Sequence, residues 1–104
     1  MASGGAVAPA GIVCRQLRVE GRVQGVGYRE ACVQQARALG VAGWIRNRRD
    51  GSVEVLAAGP QRAVDRLQAW LNEGPALARV ERVTAAVVEP ALPWPSDFER
   101  RPTE

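Results

Sequence analysis

The stretch Gly21-Arg22-Val23-Gln24-Gly25-Val26-Gly27-Tyr28-Arg29, GRVQGVGYR, separates two segments of different period. Before it, from Ile12 to Arg22, Leu17, Val19 and Gly21 alternate with Arg18, Glu20 and Arg22, the period-two pattern of a strand with one buried face. After it, Tyr28, Cys32, Gln35, Ala36 and Leu39 share one face of a predicted helix, and Gly40 stands where that helix should end. The stretch is therefore a strand-to-helix junction with three glycines, at positions 21, 25 and 27. Such a backbone can curl around a small anion. A helix start adds unpaired N–H groups and the positive end of the macrodipole, and Arg29 adds a forked cation in the first turn. The expectation is a phosphate cradle formed by the backbone of Gln24, Gly25, Val26, Gly27 and Tyr28 with Arg29 as its clamp; the bland alternative is a tight turn. The loop lacks the Lys-Ser/Thr that ends a Walker loop and does not match the dinucleotide pattern G-x-G-x-x-G, so a ligand smaller than a nucleotide is implied.

Downstream, Gly43-Trp44-Ile45-Arg46-Asn47-Arg48-Arg49-Asp50-Gly51-Ser52-Val53-Glu54-Val55 carries a hairpin signal, since Asp50-Gly51 lies between two strand-favouring runs. Strands are expected over Ala42 to Arg48 and Ser52 to Ala58. Asn47 then falls inside a strand, where asparagine fits poorly; by pattern alone it reads as an exposed residue on an edge or near the turn. Pro60 is placed to open a second helix, with Ala63, Val64, Leu67, Trp70 and Leu71 as its core stripe and Gly74-Pro75 as its stop. A fourth strand is expected from about Arg79 to Glu89, then a Pro90 to Pro95 loop, then a short edge strand, Phe98 to Arg101. The order β-α-β-β-α-β is the ferredoxin-like split βαβ arrangement, an α+β fold with an antiparallel sheet and two helices on one face. Trp44 and Trp70 read as core or helix-sheet packing residues, and Trp94 as a loop residue over an apolar edge.

Composition narrows the chemistry further. The chain has 104 residues, room for one core, with 46% hydrophobic residues. All 14 basic residues are Arg, and they are dispersed, so a net charge of +3 favours anionic small molecules without calling for nucleic acid. With no histidine and no C-x-x-C, a His/Cys zinc site and a histidine base are excluded, and Cys14 and Cys32 read as buried small apolar residues. Residues 1–11, rich in Ala, Gly, Ser and Pro, read as a flexible tail before a domain at 12–104. No run is apolar for long enough to make a membrane helix, and the expected location is the cytoplasm.

Both motifs resemble those of the acylphosphatases, a family with a G-x-V-Q-G-V-x-[FY]-R loop, then L-G-[LV]-x-G-W-[VI]-[RK]-N, then D-G-x-V-E-V. Here the matches are Gly21, Val23, Gln24, Gly25, Val26, Tyr28 and Arg29; then Leu39, Gly40, Val41, Gly43, Trp44, Ile45, Arg46 and Asn47; then Asp50, Gly51, Val53, Glu54 and Val55. The resemblance continues through Gly59, Trp70-Leu71, Gly74-Pro75 and Ala78-Arg79-Val80 to Phe98 and Arg101-Pro102-Thr103. A departure is Arg100, which stands where the last strand of the family usually has an aliphatic residue and so calls into question the burial of that strand. The resemblance implies a small stand-alone acylphosphatase, with Arg29 and Asn47 as catalytic residues, the loop backbone binding phosphate, and no metal or other cofactor. It implies a monomer acting on acyl phosphates, with inorganic phosphate as product and inhibitor and with no nucleic acid or membrane partner. The rival reading is an inactive ferredoxin-like module that binds RNA or an anionic metabolite. An RNA module of this topology would show two or three stacking aromatics on its central strands, and the hairpin offers Trp44 alone.

Overall fold

A computed structural model of the chain describes residues 11–89 and 96–104. The 1–11 tail, apart from Gly11, lies outside the described residues, as do the Pro90 to Pro95 loop and Trp94. The elements in chain order are β1 (Ile12–Arg22), α1 (Tyr28–Leu39), β2 (Ala42–Asn47), β3 (Val53–Pro60), α2 (Gln61–Glu73), β4 (Arg79–Val87) and β5 (Phe98–Arg101). The strands form one sheet in the order β4-β1-β3-β2-β5. The first four pair antiparallel, as the split βαβ order requires, with Leu17 opposite Val55 and Trp44 opposite Leu56. By contrast β5 runs parallel to β2, with Gly43 opposite Phe98, so the five-stranded sheet is mixed. The reason is direction: β4 finishes at the end of the sheet where β2 begins, and a strand that starts from that same end runs parallel to β2.

Alternation along the strands divides the sheet into a covered and an uncovered face. Leu17 and Val19, Ile45, Val53 and Val55, and Phe98 point to the covered face and pack with Tyr28, Cys32, Val33 and Ala36 of α1 and Val64, Leu67 and Leu71 of α2. Fully burying side chains of this kind is worth about 1.5–3 kcal/mol each before entropy is counted. The position expected of Gln35 is taken by Val33: Gln35 is exposed, because the helix turns its apolar stripe toward Val33 to bury the larger apolar area. Trp44 also departs from expectation. It lies next to buried Ile45 and therefore on the uncovered face, where Arg46 and Arg101 stack over its ring at 4.7 and 5.1 Å. Both cysteines are buried and free, and burial pushes the Cys32 thiol up to about 12.

Tyr28 joins the two helices where the site begins. Its hydroxyl donates to the Leu71 carbonyl at 2.6 Å, and its ring lies 5.6 Å from that of Trp70. The Leu71 carbonyl is among the last four of α2, which have no partner within the helix, so the phenol supplies what the helix end cannot. Burial holds the Tyr28 hydroxyl well above its usual range, as a neutral donor. Tyr28→Phe should leave that carbonyl unpaired and lower the unfolding free energy by about 1–3 kcal/mol in denaturant titration. A loss under about 0.5 kcal/mol would mean that water replaces the phenol at no cost.

Candidate active site

The junction after β1 forms a concave loop. Gly25 and Gly27 have φ of 73° and 78°, whereas Val26 between them keeps a negative φ. Alternation of this kind turns successive N–H groups toward one side, the arrangement known as an anion nest. A Cβ at either glycine would meet nothing within 4 Å, so the requirement is for backbone conformation and not for space. Gly27 caps α1 without any side-chain bond, and the first bond into the helix runs from the Ala31 N–H to the Gly27 carbonyl at 3.1 Å. The N–H groups of Tyr28, Arg29 and Glu30 are thus left without helical partners, at the positive end of the dipole.

A cavity of about 190 Å³ opens over this loop, lined by Gln24, Gly25, Gly27, Tyr28 and Arg29 together with Asn47, Glu30 and Arg100. Most of the loop therefore stands where the sequence places it. Val26 differs in that its side chain packs against the core. Among the described residues Arg29 has no carboxylate partner. A larger hollow, about 310 Å³, lies on the uncovered face between Gln16, Arg18, Arg48, Glu54 and Thr84. Its charges are already matched, Glu54 by Arg46 and Arg48 and Arg18 by Asp50, and it has no helix N-terminus. The smaller cavity is the chemically equipped one.

Asn47 is the last residue of β2, and the structure does not leave it exposed at an edge. Its Oδ1 is buried and has no hydrogen-bond partner among the described residues. Such an atom costs about 1–3 kcal/mol unless something binds it, so its persistence marks a site for a ligand or a water. Several contacts fix it there. Glu54 accepts from Arg46 Nε at 2.9 Å and from Arg48 Nη1 at 3.2 Å, which holds the two neighbours of Asn47 on the uncovered face and directs Asn47 to the other. Gln24 Nε2 donates to the carbonyls of Arg48 at 2.8 Å and Ser52 at 2.9 Å, tying the cradle to the hairpin that carries Asn47. The hairpin turn is closed by Asp50, whose Oδ1 accepts from Ser52 Oγ at 2.6 Å and Ser52 N–H at 2.9 Å; these bonds hold its carboxyl below the usual range.

Glu54 also makes stability depend on pH. Burial by itself would raise its carboxyl, but the bonds from Arg46 and Gln16 and the charges of Arg46 and Arg48 bring it below its ordinary value. The unfolded chain, with a glutamate pKa of about 4.3, then binds the proton more readily than the folded one. The contribution is therefore complete above that pH and is lost as pH falls through the folded value. Denaturant titrations at neutral pH and near pH 3 should show a smaller acid loss for Glu54→Gln than for the parent. Equal losses would assign the acid sensitivity to other carboxylates.

Three participants escape the sequence reading: the side chain of Gln24, Glu30, and Arg100. Gln24 was visible as a loop residue, but that its amide spans to the hairpin depends on folding. The last strand is buried at Phe98 alone, which anchors β5, while Glu99, Arg100 and Arg101 are exposed and Arg100 lines the cavity.

Comparisons with known proteins show the family. An acylphosphatase family model matches residues 15–99. Acylphosphatase 2 of Ralstonia nicotianae is 59% identical over 87 residues, 82% of this chain and 88% of that protein. Among solved structures, an acylphosphatase from Coxiella burnetii superposes with a TM-score of 0.81 at 35% identity, covering 88% of this chain and 94% of that one. The acylphosphatase from Bacillus subtilis gives a TM-score of 0.81 at 31% identity, covering 86% and 98%. By that family model and these relatives, the chain belongs to the acylphosphatase family and is an enzyme of that family.

Proposed function

We propose that the chain hydrolyses acyl phosphates to a carboxylate and inorganic phosphate, with Arg29 and the loop of Gln24, Gly25, Val26, Gly27 and Tyr28 binding the phosphoryl group and Asn47 positioning the attacking water. The observation that carries this assignment is the buried, unpartnered Oδ1 of Asn47 in a cavity shared with Arg29 and an uncapped helix N-terminus. An acyl phosphate needs little help. Its leaving group is a stabilised carboxylate that departs without protonation, so no general acid is required. Oδ1 accepts a hydrogen bond from the water and aims a lone pair at phosphorus; the new P–O bond forms as the P–O bond to the acyl group breaks, and the proton of the water passes to phosphate oxygen or solvent. Asparagine suits the task because a carboxylate there would repel the anionic substrate. The backbone N–H groups and the Arg29 guanidinium hold the non-bridging oxygens as charge shifts in the transition state.

Among the described residues no group of three or more His, Cys, Asp or Glu side chains could hold a metal ion. The purified protein should therefore turn over benzoyl phosphate in the presence of a strong chelator, with inorganic phosphate as a competitive inhibitor. Loss of turnover on chelation, restored by a divalent ion, would sink the metal-free mechanism. The reading includes a monomer acting in the cytoplasm, without nucleic acid or membrane. Two observations bear on membrane and nucleic acid: no described helix is long and apolar enough to cross a membrane, and Trp44 on the uncovered face is covered by two guanidinium groups.

A further inference from the structure

Arg100 lines the same cavity as Arg29 and Asn47. Strand β5 brings it there, since its Cα pairs with Ile45, two residues before Asn47. Its Nη1 lies 3.5 Å from Oε1 of Glu30, in the first turn of α1. That carboxylate suits the helix dipole, yet it also faces the place where a phosphoryl dianion would sit. The charged residues lining the cavity are Arg29, Glu30 and Arg100. Together they carry a net charge of +1; while Arg100 is engaged with Glu30 the unopposed cation is Arg29, and release of Arg100 from Glu30 would bring a second guanidinium to bear on an anion in the cavity. The Glu30–Arg100 contact is loose, with side chains 63% and 53% exposed and a single N···O approach, a type of pair that contributes little to stability and separates easily.

We propose that Arg100 is a second phosphoryl-binding residue, which exchanges the Glu30 carboxylate for phosphoryl oxygens when substrate binds. Two guanidinium groups and a helix N-terminus then face a dianion that Arg29 alone would leave incompletely matched, and Arg can present paired donors to it. This inference rests on the cavity being the phosphoryl site. Titration calorimetry with inorganic phosphate on the parent, Glu30→Gln, Arg100→Gln, Arg100→Lys and the double Gln variant tests it directly, without relying on turnover. Arg100→Gln should weaken phosphate binding on the order of threefold or more and Glu30→Gln should tighten it by about twofold. The double variant should return toward the parent, and Arg100→Lys should keep more affinity than Arg100→Gln. An ion pair that serves only the fold would shift the two single variants in the same direction or in neither, and either result overturns the proposal. A parent that neither binds phosphate nor turns over benzoyl phosphate would instead remove the phosphoryl site itself.

Discussion

Asn47→Ala is expected to leave phosphate affinity within a few fold of the parent while turnover of benzoyl phosphate falls by roughly 100-fold or more, the scale seen when a positioned hydrogen-bonding group is taken from an active site. The split follows from its proposed role, in which the amide acts on water and not on the phosphoryl group. Stability gives a second signature. Replacing a buried acceptor that has no partner among the described residues removes a desolvation cost, so the variant should unfold at no lower denaturant concentration than the parent. A residue conserving the fold would show the opposite pattern. If folded Asn47→Ala retained most of the parent turnover, its assignment to the water would have to be dropped.

Arg29→Ala should abolish both functions together. The guanidinium is proposed to hold the phosphoryl group in the ground state and the transition state, so phosphate affinity should fall by roughly tenfold or more, the scale of a charged hydrogen bond lost, and turnover should fall below detection. Here too stability should move against function. A cation in the first turn of α1 sits at the unfavourable end of the helix dipole, and without phosphate its removal should be neutral or should stabilise by about 0.3–1 kcal/mol. Arg29→Lys separates charge from shape: one ammonium keeps the charge without the parallel pair of donors, and activity should stay well below the parent. Parent-like turnover in Arg29→Lys would mean that charge alone suffices.

The elements of the fold were legible in the chain because their determinants are local. The alternation through Leu17 and Val19, the turn at Asp50-Gly51, Pro60 before α2 and Gly40 after α1 each act within a few residues, and each element begins or ends within about two residues of where those signals stand. The loop conformation was legible for the same reason, since Gly25 and Gly27 encode their positive φ wherever the loop goes. The orientation of Trp44 was not. A single-strand pattern gives two faces and does not say which one the helices will cover, and that was decided by the pairing of β2 with β3 and by the apolar surface of α1 and α2. The parallel course of β5 likewise depended on where β4 ended.

The site divides along the same line. The sequence by itself determined which groups were available to it: a glycine-rich junction, Arg29 in a first turn, and an amide at Asn47 in a strand that disfavours it. Tertiary structure decided that they meet, and with what. Asn47 reads locally as an edge residue, and only the fold buries its Oδ1, by placing the end of β2 beside the start of α1 and clamping Arg46 and Arg48 to Glu54 on the opposite face. Gln24 reaches the hairpin, and Arg100 reaches Glu30, across 24 and 70 residues of chain. No periodicity or propensity encodes such distances, because they are set by which strands pair and how the helices cross them.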